Sequence, residues 1–335
     1  MNLKFRILSV SFLVFAAILL SITYFRPKHS APPYLGSSYR SYNSTAHLPA
    51  TDYAIATFLT GQAKDDDSYF VATRVLTYQL LHAESTKCDA NNITFLVLCS
   101  ESVSCAQKAT LRADGATVVQ VRDVPVNWWI HSGVTRWKEQ FTKLRVFEMT
   151  EYKRILFMDA DTLLTGHIDG IFDEPEVAIL APTLDRKNQV RWGESQLPSQ
   201  WLFAARSDNA FTGERKHPTP PLQAQAFSAG FFLVAPDRRI FEYLLSVMAI
   251  PRRFDPFTME QSLLNYVFRR DGRMPWRELG WRWSATWPNE EDVKLEVVSL
   301  HEKLWKTGPQ GLKDMWNRKK GEMLRFHERR RGEGP

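Results

Sequence analysis

Apolar runs of strand length alternate with helical patterns through the first half of the chain. From Tyr53 to Met158, each apolar run is followed by a stretch whose apolar residues recur every three or four positions. This alternation implies right-handed crossovers and predicts an α/β fold, a mixed, mostly parallel sheet flanked by helices. The predicted strands are 53–59, 93–98, 116–121, 154–158, 177–180 and 231–234, and the predicted helices are 68–83, 102–112, 137–149, 237–248 and 257–268.

Two aspartates stand directly after the fourth predicted strand. Asp159 and Asp161, separated by Ala160, follow the apolar run 154–158, and parallel sheets bind ligands at the carboxyl ends of their strands. Carboxylate oxygens suit Mg²⁺ and Mn²⁺. A cation held there would bridge the two phosphates of a nucleotide-sugar and neutralise charge on the departing diphosphate. The simpler alternative is a turn or a helix cap that uses aspartate.

An apolar strand followed by Asp-x-Asp-x-Thr also fits haloacid-dehalogenase-type phosphatases. In that class the first aspartate, here Asp159, is the nucleophile, and a later acidic pair after an apolar strand holds Mg²⁺. The downstream sequence lacks such a pair, because Glu290-Glu291-Asp292 follows Trp-Pro-Asn rather than a strand. The phosphatase alternative therefore lacks the second acidic group that this class needs to hold Mg²⁺.

The N-terminal residues predict a membrane anchor. Residues 1–6 form a short basic tail, and 7–25 are uncharged, apolar and just long enough to cross roughly 30 Å of hydrocarbon. Residues 26–50, rich in Pro, Ser and Tyr, read as a stem. Glycosylation sequons at Asn43 and Asn92 favour a lumenal body, so we expect a single-pass type II protein of the Golgi or another secretory-pathway membrane. A cleaved signal peptide is the alternative.

Charge and cysteine content place weaker constraints on the chain. The net charge is +6, and much of it comes from two basic triplets within 318–335. We expect this stretch to be a solvated, fraying tail outside a globular body at 51–317, and we expect no nucleic-acid partner. The cysteines lack the spacing of a zinc or redox site and allow either one disulfide or three buried thiols; they are Cys88, Cys99 and Cys105.

Four blocks of sequence carry a resemblance to a known family. They are 56–60 with 67–69, 141–144 with 155–163, 227–230 with 259–265, and 301–306. On these blocks the chain resembles the glycogenin-like retaining glycosyltransferases of family 8, especially their fungal membrane-bound members. The resemblance implies a GT-A, Rossmann-like fold, a UDP-sugar donor, retention of anomeric configuration, and a Mn²⁺ ion, with Mg²⁺ as the alternative.

The resemblance also implies roles for single residues. The implied metal ligands are Asp159, Asp161 and His301, and the implied catalytic residues are Lys143, Glu260 and Gln261. The residues implied to contact the UDP-sugar are Thr57, Tyr69, Lys143, Asp159, Ala160, Asp161, Ser228, Gly230, Lys303 and Lys306. An imidazole with carboxylates suits Mn²⁺, and a lysine near the phosphates would stabilise the departing UDP.

Several positions depart from the family pattern. Ser228 stands where the family has an asparagine, so a hydroxyl replaces the amide that contacts the donor sugar. The donor sugar therefore stays open among N-acetylglucosamine, glucose and galactose. Glu260 is one methylene longer than the usual aspartate, and Lys306 falls one residue early after His301.

The sequence predicts where the acceptor binds. We expect a glycan or glycoconjugate acceptor to contact the long polar excursion 185–221 and the Trp-rich stretch 276–287. A non-catalytic, membrane-tethered sugar- or nucleotide-binding relic is the remaining alternative. Such a relic would have no reason to keep all the charged groups of the implied site.

Overall fold

The computed structural model describes residues 42–43, 50–61, 67–131, 135–186, 189, 191–209, 215, 217–218 and 220–332. The predicted cytosolic tail, the anchor at 7–25 and nearly all of the stem lie outside these residues. Within the part of the chain that is described, no helix is both long enough and apolar enough to cross a bilayer.

Strands alternate with helical segments from Tyr53 to Met158, as the sequence predicts. The strands are β1 Tyr42–Asn43, β2 Tyr53–Leu59, β3 Ile93–Cys99, β4 Thr117–Val121, β5 Arg154–Met158, β6 Thr162–Leu164, β7 Ala181–Pro182, β8 Gln200–Trp201, β9 Phe203–Ser207, β10 Phe227–Val234, β11 Arg277–Glu278, β12 Ala285–Thr286 and β13 Ser299–His301. The α-helices are α1 Ser68–Leu81, α2 Cys105–Ala113, α3 Pro175–Ala178, α4 Arg238–Ala249, α5 Glu260–Val267, α6 Glu290–Lys294 and α7 Gln310–Gly332. Segments of 3₁₀ helix cover Thr135–Glu148, Asp169–Asp173, Pro256–Thr258 and Trp281–Trp283.

Eight strands form the central sheet, in the order β1-β4-β3-β2-β5-β10-β9-β11. Strands β4, β3, β2 and β5 run parallel to one another, because α1, α2 and the long 3₁₀ segment carry the chain back between them. Strand β10 lies antiparallel between β5 and β9. All eight residues of β10 are buried, as expected for a strand covered on both faces. The predicted mixed, mostly parallel α/β fold is confirmed.

A second, three-stranded sheet positions the loop after β5. Strand β13 lies between β12 and β6 and pairs antiparallel with β6, with His301 opposite Thr162. This pairing brings a segment from late in the chain beside Asp161.

Apolar side chains pack on both faces of the central sheet. On one face, Phe203 stacks on Phe268 with ring centroids 4.1 Å apart, and Phe157 stacks on Phe232 at 5.0 Å. The opposite face buries aliphatic residues such as Ile55 against α1. Two close-packed layers therefore hold β5 and β10 rigidly at the centre of the sheet.

The structure corrects three predicted elements. The predicted strand 177–180 is wrong: Pro175 occupies the first turn of α3, a position that suits proline. The predicted helix 257–268 is interrupted at Met259, whose φ of 51° lies in the left-handed region and separates a 3₁₀ turn from α5. The predicted α-helix 137–149 is 3₁₀ helix over Thr135–Glu148.

The basic C-terminal stretch belongs to the folded body, contrary to the predicted boundary at 317. Helix α7 runs without a break across that boundary to Gly332. Its inner side buries Met323 and His327, and Phe326 stacks on His82 with ring centroids 4.5 Å apart. The apolar residues of this helix recur at helical spacing, but the basic residues between them led to the prediction of a solvated tail. The three cysteines are free thiols, but Cys99 alone is buried, Cys88 is half-buried and Cys105 is exposed, so the predicted set of three buried thiols is met only at Cys99.

Candidate active site

The two aspartates occupy a tight connection between the central sheet and the small sheet. The Asp159 amide donates to the Gly230 carbonyl at 2.9 Å, which extends the pairing of β5 with β10. The Thr162 hydroxyl donates to the Asp159 carbonyl at 2.7 Å as β6 begins. Ala160 lies between the two aspartates and is buried. The backbone is thereby fixed so that both carboxylates lie at the carboxyl end of β5.

His301 completes a cluster with these aspartates. Its Nε2 lies 3.1 Å from Asp161 Oδ1 and 3.7 Å from Asp159 Oδ2. The Glu302 amide donates to the Asp161 carbonyl at 3.0 Å, which holds the end of β13 against the aspartates. Gly230 lies directly beneath the imidazole, where a Cβ would come 2.2 Å from His301 Cε1. Only glycine at position 230 leaves space for the ring.

The three side chains fit a single divalent cation. One potential ligand atom from each residue lies within 4.8 Å of the others, so the three atoms are close enough to share one metal ion. Ligand atoms on one octahedral ion lie roughly 3–4 Å apart, so a modest closure would suffice. Two carboxylates and an imidazole form a donor set that suits Mn²⁺. The buried Nδ1 of His301 has no hydrogen-bond partner among the described residues, which leaves its tautomer free to adapt.

Negative charge dominates the environment of the imidazole. Burial alone would lower the pKa of His301, but the carboxylates of Asp161 and Asp159 raise it to about 9. Burial would likewise raise the pKa of Asp161, and the charge and hydrogen bond of His301 lower it instead. The cluster therefore attracts a positive charge, which a metal ion would supply in place of the imidazole proton.

A buried lysine joins the cluster to a second acidic residue. Lys143 Nζ lies 3.0 Å from Asp159 Oδ1 and 2.8 Å from Glu260 Oε1, and the lysine side chain is only 2% exposed. Burial opposes the charge on Lys143, but Asp159 and Glu260 outweigh it and raise its pKa. Burial raises the pKa of Glu260, while Lys143 opposes that rise. The lysine thus stays charged and holds both carboxylates in place.

A cavity of about 390 Å³ opens beside these groups. Its lining includes Asp159, Asp161, His301, Glu260, Tyr69 and Lys303. Six residues drawn from distant parts of the chain therefore face one space, at the carboxyl end of β5 where a parallel sheet binds its ligand.

Comparisons with known proteins identify the family. No family model matches the chain. Galactinol synthase 4 of Arabidopsis thaliana is 26% identical over 192 residues, 57% of this chain and 56% of that protein. The uncharacterized protein C4C3.09 of Schizosaccharomyces pombe is 30% identical over 303 residues, 82% of this chain and 79% of that protein. The chain belongs to glycosyltransferase family 8. A crystal structure of an active-site mutant of LgtC shares the fold of this glycosyltransferase, with a TM-score of 0.50 at 13% identity over 80% of this chain and 95% of that one.

Family membership excludes the phosphatase alternative. The structure also places the other residues that were predicted to contact the UDP-sugar. Lys303 Nζ lies 5.9 Å from the centre of the Tyr69 ring, and Tyr69 meets Trp305 edge to face. Both predicted residues border the cavity. Thr57 is fully buried in β2. Lys306 is exposed, and its amide closes a turn onto the Lys303 carbonyl. Their predicted contacts with UDP stay predictions.

Gln261 is held by hydrogen bonds at both ends of its amide. Its Oε1 accepts from the Ala229 amide at 3.0 Å, and its Nε2 donates to Asp208 Oδ2 at 3.1 Å. The Ser228 hydroxyl accepts from the Gly230 amide at 3.3 Å, so it faces its own strand. The glycosyltransferase therefore orients Gln261 through Asp208.

Sequence reasoning missed two residues of this site. Asp208 is buried at the end of β9, but the sequence placed it within the surface excursion 185–221. Its signal was the apolar run just before it. Arg215 forms a two-point ion pair with Glu302, the residue after His301, with Nη2 to Oε1 at 2.7 Å. Local sequence gives no sign of that pairing, because the partners are 87 positions apart.

Proposed function

We propose that this family-8 glycosyltransferase moves a hexose or N-acetylhexosamine from a UDP-sugar to a glycan or glycoconjugate, with a divalent cation and with retention of configuration. The observation that carries the proposal is the convergence of Asp159, Asp161 and His301 on one cavity beside the Lys143–Glu260 pair. Two carboxylates and an imidazole, backed by a buried lysine, would hold a cation, and the cation would bind the diphosphate of the donor.

Each group has a distinct part in the proposed reaction. Asp159, Asp161 and His301 would hold Mn²⁺ or Mg²⁺, which when bound supplies Lewis-acid help to the leaving diphosphate. Lys303 places an exposed ammonium at the cavity, where it would bind the phosphates electrostatically. Lys143 fixes the orientation of Asp159 and keeps Glu260 at the base of the cavity. These contacts exist before substrate binds, so little reorganisation is needed during the reaction.

Nucleotide release gives the direct test. The purified full-length chain is incubated with Mn²⁺ and UDP-glucose, UDP-galactose or UDP-N-acetylglucosamine, and UDP is quantified. Asp159→Asn and Asp161→Asn should each lower turnover on the order of a hundredfold or more, because each removes a negatively charged ligand. Asp271→Asn is the matched control, since that side chain is 81% exposed and lies outside the cavity lining.

Two outcomes would contradict the proposal. UDP release from none of the three donors, with the aspartate variants indistinguishable from the parent, would favour the non-catalytic relic. Turnover that survives complete chelation of divalent cations would refute the metal requirement while leaving sugar transfer intact.

We also propose that the chain is a type II membrane protein of the secretory pathway with its catalytic body in the lumen. The proposal rests on the apolar segment 7–25 and on the two sequons. The second sequon is sterically suitable, because Asn92 is exposed at the start of β3. Treatment with peptide:N-glycosidase should increase gel mobility, and Asn43→Gln with Asn92→Gln should abolish that shift. An unglycosylated chain in secretory membranes would argue against the lumenal orientation.

A further inference from the structure

One large aromatic side chain at the cavity is left uncovered. Phe257 contributes to the cavity lining, yet it is 80% exposed. Exposing a phenyl ring to water is unfavourable, so covering it would stabilise a bound ligand. A ring kept exposed at the mouth of a binding cavity is well placed to be covered by a ligand.

Hydrogen bonds hold the backbone that carries this ring. Asp255 Oδ1 accepts from the Phe257 amide at 3.0 Å, and the Met259 amide donates to the Pro256 carbonyl at 2.9 Å. The Thr258 amide donates to Ser262 Oγ at 3.1 Å, which ties the turn to α5. The turn is thus built from one proline and three separate hydrogen bonds, so little backbone entropy is lost when a ligand covers the ring.

Strain next to the turn points the same way. Met259 adopts a φ of 51° and a ψ of −121°, a conformation that is costly for a residue with a side chain. Its side chain is 4% exposed, so packing against the core maintains the strained backbone. The strained residue directly precedes Glu260, the first residue of α5, and only Thr258 separates it from Phe257. The aromatic ring and the buried carboxylate are therefore positioned by the same short segment.

We propose that Phe257 is the platform on which a sugar ring of the acceptor packs. The inference rests on the proposed function, because the metal cluster marks the donor diphosphate and the acceptor must enter through the open mouth of the same cavity. A single exposed ring matches the C–H face of one pyranose, whose hydroxyl groups stay in water or meet polar groups nearby. An alkyl chain would require a longer apolar strip.

The exposed aromatic residues elsewhere provide matched controls. Trp128 is 77% exposed and Trp192 is 80% exposed, and neither contributes to the cavity lining. Trp192 belongs to the excursion 185–221, where the sequence predicted acceptor contacts. It therefore serves as the rival site, and Trp128 serves as the neutral control.

Ligand-observed NMR tests the proposal. Saturation-transfer difference spectra are recorded for the methyl glycosides of glucose, galactose and mannose with the full-length chain, UDP and Mg²⁺. The dissociation constant of the glycoside that binds the parent should rise about tenfold in Phe257→Ala, through loss of the aromatic contact, and stay near the parental value in Phe257→Trp. Trp128→Ala should bind as the parent does. The thermal midpoint of Phe257→Ala should match that of the parent, because the side chain is exposed.

The outcomes separate this inference from the proposed function. Parental binding by Phe257→Ala, a loss seen in Trp192→Ala in its place, or no saturation transfer from the parent to any of the glycosides would each overturn the platform. Absence of UDP release from the parent, with the NMR result as expected, would defeat the proposed transfer reaction while the sugar platform stands.

Discussion

Removing the buried lysine should unbalance the charges beneath the cavity. Lys143 neutralises Asp159 and Glu260 at 3.0 and 2.8 Å, and the exposed fractions of the two acidic side chains are 27% and 9%. In Lys143→Met, water can still reach Asp159, but Glu260 is left as an unpaired buried carboxylate. Breaking a buried ion pair on one side destabilises a protein by about 3–5 kcal/mol, and we expect a loss of that size.

A double variant separates the charge effect from a packing effect. Lys143→Met combined with Glu260→Met replaces both buried charges by apolar side chains of similar length. Exchange of a whole buried ion pair for apolar groups is close to neutral, so most of the lost stability should return. Turnover should stay low in both variants, because neither can hold Asp159 in place, and the double variant also lacks the Glu260 carboxylate.

Guanidinium unfolding measures these differences, with the fluorescence of the eleven tryptophans as the probe. The deficit of the single variant should also depend on pH. Burial raises the pKa of Glu260 in the folded chain, and loss of Lys143 removes what opposes that rise. The folded state then binds the proton more tightly than the unfolded state, so the deficit is smallest below about pH 4.3 and grows as the pH rises. A single variant that loses less than about 1 kcal/mol, or a double variant no more stable than the single one, would refute this account.

Three further perturbations follow from the structure. Gly230→Ala should abolish Mn²⁺ binding in a spin-resonance titration, because the added Cβ would lie 2.2 Å from His301 Cε1; parental affinity would show that the ring moves freely. A hydrogen bond to Asp292 raises the pKa of His217, so this pair should stabilise the chain fully below about pH 6.5 and progressively less as the pH rises through the raised value. Asp292→Asn should flatten that part of the pH–stability profile, and an unchanged slope would contradict the assignment. Deleting 318–335 should lower stability by at least about 2 kcal/mol in thermal or denaturant unfolding, since the buried side chains of Met323 and His327 are lost, whereas an unaffected midpoint would restore the solvated-tail interpretation.

Local sequence patterns were sufficient for the elements that build the central sheet. The predicted strands at 53–59 and 154–158 match β2 and β5 residue for residue. They are buried on both faces, and a short apolar run between polar turns records that burial directly. The same reasoning failed at 177–180, where Pro175 starts a helical turn within an equally apolar run. Only Val177 of this segment is buried, whereas Ile179 and Leu180 are exposed, so an apolar run by itself establishes neither burial nor strand structure.

The α/β alternation and the two carboxylates at the end of a central strand can be predicted from the order of neighbouring residues alone. The side chains around Asp161, by contrast, come from segments that are distant in sequence and meet only in the folded chain. His301 reaches it from 140 positions away because β13 pairs with β6 in one particular register. The same holds for the burial of Lys143 against Glu260 and for the exposure of Phe257. Each of these properties depends on which distant segment covers a side chain. Sequence periodicity indicates which face of an element is buried, but it does not identify the segment that covers that face.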